Sequence, residues 1–385
     1  MLRIAFAWLV VLAVSAGDAV LLIDAEFGAL HSTSAQAIEL GARMAADDVN
    51  AAGALPGGMR LVVQTSDNRG LPARAADHFI AAASRAEVVA VMGGKQSPVV
   101  MTCVPLARMH ELPLLLPWSA IDAATEGEQR PSWIFRLSLR DSWAMARLFA
   151  ACHSASTAKV GLLLPNNAWG RSCLAAAQRA LPAHPGMRLL EPQWYEMTST
   201  DLVDPYRRLV AGGADRIVLA ANEVDAAALV KAMAVMPPAQ RRPLVCHWGV
   251  TGGDLAAMTG PALAAVDLSV VQTFTMADAR GELADRLRRG VAASGWSGPV
   301  ERYPSAVGLA HAYDLTRLLG AALALAGRPD RAAVRSALEQ VPAWDGVMRR
   351  YAPAFTADRR EALDPSLLFM ARFDQAGVLR RVEEP

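Results

Sequence analysis

Two hydrophobic patterns alternate along the chain: short continuous apolar runs, and longer stretches in which apolar residues return every three or four positions. Val88 to Met92 is a run of the first kind, too short for a helix and continuous enough for a strand buried on both faces. Gly93-Gly94 follows and frees the backbone to turn. The stretch 97–109 then has helical spacing, and Leu114 to Leu116 is the next short run. The pattern predicts a strand, helix, strand unit.

The residues before this unit show the same alternation. Val20 to Ile23 and Leu61 to Gln64 are predicted strands. Thr33-Ser34-Ala35-Gln36 has the form of a capping box, which predicts a helix that begins there and ends at Gly53. Pro72 begins another predicted helix, which extends to about Ala83. Strands that alternate with helices predict a doubly wound parallel sheet.

The alternation begins again after residue 140 and predicts a second lobe of the same architecture. Its predicted strands are Lys159 to Leu164, Arg188 to Leu190, Ile217 to Ala220 and Leu244 to Cys246. Its predicted helices are Ser142 to Ala151, Arg171 to Leu181, Asp204 to Ala211 and Asp225 to Met236. No long linker separates the halves, so we expect an α/β fold of two parallel-sheet lobes that meet across a cleft. Later elements are expected to complete these sheets: Val266 to Thr273, Ser305 to Ala326, Arg331 to Gln340 and Leu367 to Phe373.

Two serines fall where such a fold binds ligands. Parallel α/β sheets bind at the carboxyl ends of their strands, where helix N-termini offer unpaired N–H groups. Ser97 precedes Pro98 at a predicted helix start, and Ser119 follows the strand Leu114 to Leu116. From this unit alone, Ser97 is expected to be only a helix cap, since caps outnumber ligand sites, and the ligand-binding role stays open as the alternative.

Composition limits the classes of partner. A length of 385 residues allows two core-sized domains. With 53% hydrophobic and 19% charged residues, the chain is expected to be globular rather than disordered. The formal net charge of +1 gives no overall attraction to nucleic acid or an anionic surface, so a ligand must be held by local groups.

The first sixteen residues resemble an export signal in composition. Arg3 precedes an apolar run from Ile4 to Val14, and small residues follow at Ser15 and Ala16. The run is shorter than the roughly 20 residues a membrane-spanning helix needs, so residues 1–16 are predicted to be a cleaved signal peptide. An uncleaved anchor or a buried strand is the alternative. The prediction implies a periplasmic protein that does not span the membrane after cleavage.

Motifs for chemistry are absent from the sequence. The four cysteines have no C-x-x-C spacing and no histidine at zinc-finger distance, which argues against a metal site. Gly93-Gly94-Lys95 suggests phosphate binding, but the further glycines of such loops are missing. We therefore expect neither a cofactor nor an enzyme. A secreted enzyme that uses the carboxylates Asp24, Glu26 and Glu223 is one alternative.

Four segments together resemble the leucine/isoleucine/valine-binding family of periplasmic solute-binding proteins, which serve ABC importers. In chain order they are GARMAADDVNAAGALPGGMRLVVQTSDNRGLPARA, VVAVMGGKQSPVVMTCVPLARMHELPLLLPWSA, KVGLLLPNNAWGRS and GADRIVLAANEVDAAALVKAM. The resemblance implies a type I periplasmic binding fold whose chain crosses between the lobes three times. We expect crossings near Leu139, Phe274 and Trp344, so that lobe 1 comprises 20–138 and 274–343, and lobe 2 comprises 139–273 and 344–385.

The resemblance also implies a function. Family members close two lobes over a small solute and dock the closed form on a membrane permease. Such closure is stabilised by the contacts that the ligand makes only in the closed state. A ligand-sensing protein of the same fold, which signals to another partner, is the alternative.

Matching the family's ligand positions onto this chain shows both agreement and departure. Ser97 matches a ligand-binding serine, and Trp169 matches a position that is often an aromatic tyrosine. Trp118, Ser119 and Ala120 match a triplet that usually ends in threonine, so Ala120 lacks a hydroxyl. Asn222 replaces another frequent tyrosine, and Trp248 replaces the carboxylate that usually pairs with the ligand's ammonium. The predicted ligand-binding residues are Gln36, Ser97, Trp118, Ser119, Ala120, Trp169, Asn222, Glu223 and Trp248.

The change at Trp248 bears most on the ligand. An ammonium buried without an opposite charge costs several kcal/mol, so a free α-amino acid is doubtful unless Asp24, Glu26 or Glu223 supplies the charge. The tryptophans at 118, 169 and 248 favour a planar or partly apolar solute. We therefore expect a small carboxylate or amide whose polar end is held by Ser97, Ser119 and backbone N–H groups.

Overall fold

The chain folds into two α/β lobes, each built on its own central sheet. The computed structural model describes residues 17–127, 130–152, 158–199 and 201–383. The predicted signal peptide, residues 1–16, lies outside the described residues. Within the described ranges, no helix is both long and apolar enough to cross a membrane.

The first lobe contains a sheet of five parallel strands in the order β2-β1-β3-β4-β5. The strands are β1 (Ala19–Ala25), β2 (Leu61–Asp67), β3 (Val88–Gly93), β4 (Leu114–Leu116) and β5 (Ile134–Arg136). Helices α1 (Ser34–Ala51), α2 (Pro72–Ala83) and α3 (Ser97–Met109) connect the first four. Side chains of β1 alternate between two apolar cores, Leu21 and Ile23 in one, Val20 and Leu22 in the other. Burial on both faces explains the continuous apolar run.

The second lobe repeats this winding. Its strands β6 (Ala158–Pro165), β7 (Met187–Leu189), β8 (Gln193–Tyr195), β9 (Arg216–Leu219), β10 (Leu244–Cys246) and β11 (Leu268–Gln272) pair in parallel. Its helices are α4 (Asp141–Cys152), α5 (Ala168–Ala180), α6 (Val203–Ala211), α7 (Glu223–Ala234) and α8 (Leu255–Thr259). The sequence pattern predicts all of these except β8 and α8, with ends that differ by a few residues.

After β11 the chain returns to the first lobe. Helices α9 (Glu282–Ala293), α10 (Ala306–Ala326) and α11 (Arg331–Leu338) follow in order, and α10 packs along α1. Gly41 makes this contact possible, because a Cβ atom there would lie 2.2 Å from the backbone oxygen of Leu309. Long-range helix packing therefore completes the first lobe with residues far away in sequence.

The third crossing comes later than Trp344. The hairpin of β12 (Trp344–Asp345) and β13 (Arg350–Tyr351) packs against α10, where Asp314 accepts a hydrogen bond from the Tyr351 hydroxyl at 2.7 Å. The backbone N–H of Ala362 still donates to Arg136 at the end of β5. The chain reaches the second sheet only with β14 (Phe369–Phe373) and β15 (Leu379–Arg381).

These last two strands make the second sheet mixed rather than wholly parallel. β14 pairs antiparallel with β11, and β15 pairs antiparallel with β14. An edge strand of opposite direction is common on an otherwise parallel sheet. Here the direction follows from the side on which the chain re-enters the lobe, which local sequence does not encode.

Candidate functional site

The segments that follow the strands of both sheets line a cavity between the lobes, which we call the cleft cavity. Its lining from the first lobe is Lys95, Gln96, Ser97, Pro98, Trp118 and Ala120. Its lining from the second lobe is Asn167, Trp169, Met197, Asn222, Trp248 and Gly249. The cavity and its opening to solvent hold about 320 Å³ of empty volume. Six of the nine predicted ligand-binding residues lie on its wall.

A second cavity of about 460 Å³ lies where the chain crosses between the lobes, near Gln272 and Ser305. Its lining does not combine residues from the carboxyl ends of strands of both sheets. Since ligands of α/β sheets bind at those ends, the cleft cavity is the stronger candidate for a binding site.

Three tryptophans form the apolar part of the cleft cavity. Trp118 follows β4 in the first lobe, whereas Trp169 and Trp248 belong to the second lobe, and all three are at least 93% buried. The rings of Trp118 and Trp248 meet across the lobes, with centroids 5.7 Å apart and planes tilted by 48°. A contact of this kind contributes about 0.5–1.5 kcal/mol beyond burial, so it helps to hold the lobes together.

The two predicted serines meet at the polar end of the cavity. The hydroxyl oxygens of Ser97 and Ser119 are 3.0 Å apart and hydrogen-bonded. Helix α3 has Gln96 at its N-cap and no side-chain capping bond, so Ser97 does not act as the cap. Ser119 is fully buried behind Ser97. The serine pair thus presents a polar group beside the free N–H groups of the α3 N-terminus.

Trp169 is held from two sides. The Asn167 side chain caps α5 and accepts hydrogen bonds from the backbone N–H of Trp169 and Gly170, at 2.9 and 3.2 Å. The indole N–H of Trp169 donates to Asp141 at 3.2 Å. Gly249 leaves room for the ring, because a Cβ atom there would lie 2.7 Å from it. These contacts fix the indole at the cavity wall.

A buried ion pair links the lobes beside the cavity. The Lys95 ammonium, in the first lobe, donates to both Glu223 oxygens at 2.7 and 2.8 Å and to the Ser32 hydroxyl at 2.9 Å. Both charged side chains are at most 4% exposed. An ammonium has three N–H donors, so Lys95 is saturated by these partners. Glu223 therefore sits at the cleft, but its charge is already neutralised by a residue of this chain.

Backbone contacts close the lobes next to this pair. The N–H of Thr33 in the first lobe donates to the carbonyl of Gly252 in the second at 2.9 Å, and the Ser32 hydroxyl donates to the same oxygen at 3.3 Å. A Cβ atom on Gly252 would lie 2.6 Å from both Lys95 Nζ and a Glu223 oxygen. The structure is therefore that of a closed form, with the lobes in direct contact.

Comparison with known proteins agrees with this architecture. A sequence profile described as periplasmic binding protein matches residues 22–377, which is most of the chain. The chain belongs to the periplasmic binding protein family. No curated protein sequence matches it significantly.

Solved structures show that the binding protein has the type I fold of this family. A type 1 periplasmic binding protein of Bordetella pertussis is 17% identical, with a TM-score of 0.83 over 95% of this chain and 99% of that one. The substrate-binding protein LivJ of Streptococcus pneumoniae, in complex with isoleucine, is 18% identical, with a TM-score of 0.77 over 95% and 100%. A solute-binding protein of R. palustris, in complex with benzoate, is 16% identical, with a TM-score of 0.77 over 95% and 96%.

Some carboxylates and polar residues singled out in the sequence lie away from the cavity wall of this binding protein. Asp24 is buried in the first lobe and bonded to Ser66, Asn68 and His78 at 2.6–2.9 Å. Glu26 accepts from the Ser34 hydroxyl at 2.6 Å. Both carboxylates are hydrogen-bonded to residues of this chain, so neither is available to pair with a charged group of a ligand.

Gln36 also departs from expectation. The Gln36 side-chain amide is exposed and donates a hydrogen bond to the carbonyl of Phe27 at 3.1 Å. The capping box predicted around it does not form, because Thr33 makes no capping bond and instead contacts the Ser305 hydroxyl at 2.8 Å. Tertiary contacts between the lobes' connecting segments outweigh the local capping pattern.

Half of the twelve wall residues were not among the predicted ligand-binding residues, and two unpredicted residues near the site, Lys95 and His311, bear most on its properties. Lys95 was recognisable only as a lysine after a Gly-Gly turn at a strand end. His311 is fully buried on α10; its ring nitrogens lie 3.0 Å from the Thr273 hydroxyl and 2.8 Å from the Pro117 carbonyl. Burial lowers the pKa of His311 to about 4, so its ring is neutral at pH 7. It packs 5.7 Å from Trp248 and supports the cavity from behind.

Proposed function

We propose that this chain is the solute-binding component of an ABC importer of the branched-chain amino acid type, acting in the periplasm. In this proposal it binds one small organic solute in the cleft cavity, and the closed form then docks on the membrane permease. Family membership and the type I fold support the class of function. The observation that carries the proposal is the cleft cavity, where strand ends of both lobes bring three tryptophans and Ser97 around one small space, with Ser119 hydrogen-bonded behind Ser97.

The charges around the cavity bear on the kind of solute. Lys95 and Glu223 satisfy each other at 2.7 Å, so an incoming ammonium would have to displace Lys95 from Glu223. Breaking a buried pair in this way costs several kcal/mol. A solute whose polar end accepts from Ser97 and from the N-terminus of α3 leaves the pair intact. The arrangement therefore favours a small amide or carboxylate over a free α-amino acid.

The apolar end of the solute would contact tryptophan rings. Trp118, Trp169 and Trp248 present faces that suit a planar or branched apolar group, worth about 0.5–1.5 kcal/mol for each aromatic contact beyond burial. The R. palustris protein of the same fold is in complex with benzoate, an aromatic carboxylate of this kind. We therefore extend the proposal to aromatic carboxylates and amides as the first compounds to test.

We further infer that the solute is bound without chemical change. Glu223, the carboxylate beside the cavity, is held by Lys95 and cannot act as a general base without losing that partner. The hydroxyl of Ser97 is bonded to Ser119 rather than to a histidine, so it lacks the base that would activate it as a nucleophile.

The test is a thermal-shift screen with benzoate, benzamide, isoleucine, leucine and valine. We expect benzoate or benzamide to raise the melting temperature, since a ligand at 100 times its dissociation constant stabilises by about 2.7 kcal/mol. Ser97→Ala should weaken this shift, whereas Ser84→Ala, at an exposed serine of the same lobe, should leave it unchanged. Stabilisation by leucine, isoleucine and valine alone would contradict the proposed solute class.

A further inference from the structure

Directly behind Trp169 lies a group of three metal-ligating side chains, all in the second lobe. Asp141 begins α4, Cys173 lies on α5, and His247 follows β10. All three residues have no exposed surface. One donor atom from each, the carboxylate oxygen, the sulfur and a ring nitrogen, lies within 4.8 Å of the other two. Separate elements of one lobe thus bring a carboxylate, a thiol and an imidazole together.

The hydrogen bonding of this group is incomplete. Asp141 Oδ2 and both ring nitrogens of His247 are buried and lack a hydrogen-bond partner. His247 Nε2 lies 3.2 Å from Asp141 Oδ1, but the approach does not have hydrogen-bond geometry. Buried polar atoms are almost always satisfied by protein, water or an ion. An unsatisfied carboxylate oxygen of Asp141 beside an unsatisfied ring nitrogen of His247 indicates that a species able to bind both groups belongs there.

The spacing of the donors fits a tetrahedral cation. In a zinc site, bonds of about 2.0–2.1 Å to nitrogen or oxygen and about 2.3 Å to sulfur place neighbouring ligands roughly 3.3–3.6 Å apart. Here Asp141 Oδ1 lies 3.2 Å from His247 Nε2 and 3.7 Å from Cys173 Sγ. These two edges need little adjustment to surround an ion, and the third, between the Cys173 sulfur and the His247 ring, is no longer than 4.8 Å. Mixed sulfur, nitrogen and oxygen ligands are typical of Zn²⁺.

Charge balance points to the same class of ion. Burying an uncompensated charge is costly. Ionised Asp141 and Cys173 with neutral His247 contribute two negative charges, which a divalent cation cancels. On binding, the Cys173 thiol releases its proton to solvent as the thiolate–metal bond forms. The sequence spacing hides this set, because its members lie on three elements between residues 141 and 247.

We propose that Asp141, Cys173 and His247 form a binding site for one Zn²⁺ ion, with water as its fourth ligand. The site lies one layer behind the cleft cavity. Asp141 Oδ1 also accepts the indole N–H of Trp169 at 3.2 Å, and the His247 ring meets the Trp169 ring edge-on at 5.2 Å. By holding Asp141 and His247 in place, the ion would also fix the orientation of the Trp169 ring that they contact, since hydrogen bonds around a metal site orient the groups next to it. This proposal does not depend on which solute the cavity binds.

The test is cobalt substitution, because Co²⁺ bound to a thiolate gives a charge-transfer absorption in the near ultraviolet. Since the three residues are fully buried, Co²⁺ should be supplied both to the chelator-treated folded protein and during refolding. We expect one Co²⁺ per chain, the charge-transfer band, and displacement of Co²⁺ by one equivalent of Zn²⁺. Elemental analysis of the protein purified without chelator should show zinc.

Matched variants assign the band to this site. Cys173→Ala and His247→Gln should lose stoichiometric binding. Cys152→Ala removes another fully buried thiol, on α4 of the same lobe, and should keep the band. A wild-type protein that shows no sulfur-to-cobalt band by either route would overturn the proposal, even if a variant failed to fold. A band that persists in Cys173→Ala would also overturn it.

Discussion

The buried ion pair between the lobes leads to the most direct mechanical prediction. Replacing Lys95 by methionine removes three hydrogen bonds and leaves the Glu223 carboxylate, 4% exposed, without a cation in the closed form. Removing one partner of a buried pair costs about 3–5 kcal/mol. Because the pair spans the lobes, opening them returns Glu223 to water and relieves the cost. We therefore expect the open form of Lys95→Met to gain roughly 10²-fold to 4 × 10³-fold in population relative to the closed form.

Small-angle X-ray scattering of the protein saturated with a solute that stabilises the wild type in the thermal-shift screen measures this shift as an increase in the radius of gyration. Lys231→Met, at an exposed lysine on the same helix as Glu223, is the matched control and should scatter like the wild type. The double variant Lys95→Met/Glu223→Leu should close again, because an apolar pair of similar volume often replaces a buried ion pair without loss. The reasoning fails if the single variant scatters like the wild type, or if the double variant is as open as the single one.

Three further predictions concern stability. The pKa of His311 is about 4 in the folded protein against an ordinary value of 6.5. Between these pH values the unfolded chain binds a proton at His311 that the folded protein does not. The free energy of unfolding therefore falls as pH drops from 6.5 to 4, by about 3 kcal/mol in total. His311→Gln should lose this part of the pH dependence in urea titrations at pH 7.5, 6 and 5, and equal slopes for the two proteins would contradict the assignment. Gly41→Ala should force α1 and α10 apart at a cost of about 1–3 kcal/mol and so lower the urea midpoint of unfolding. An unchanged or raised midpoint would contradict the close packing of α1 on α10 at this position. Arg136→Met removes the buried cation that lies 2.9 Å from Glu361 and leaves only Arg140, at 4.0 Å, so it should destabilise the first lobe by up to about 3–5 kcal/mol. An unfolding transition that calorimetry finds unchanged from the wild type would refute this.

Much of the fold follows from local sequence pattern. The strands Leu114–Leu116 and Leu244–Cys246 and the helix Pro72–Ala83 have the predicted bounds, because a short apolar run between turn residues has few alternatives to a buried strand. The placement of Ser97 and the three tryptophans around one cavity follows from a general rule: the carboxyl ends of parallel strands share one edge.

Other features do not follow from local pattern. Ser97 was a plausible cap, yet its hydroxyl bonds to Ser119 instead. Gln36 fits a capping box that does not form, because Thr33 has a stronger tertiary partner. The antiparallel direction of β14 and β15 depends on where the chain re-enters the second lobe after packing residues 344–362 on the first.

The sequence by itself determined the alternation of strands and helices, the division into two lobes, and which side chains reach the edge of each sheet. Only the tertiary structure decided which of those side chains meet. Lys95 and Glu223 pair across 128 residues, and Asp141, Cys173 and His247 converge from three elements. The physical reason is range: hydrophobic spacing and capping act within a few residues, whereas ion pairs and shared ligands depend on how whole lobes pack and close.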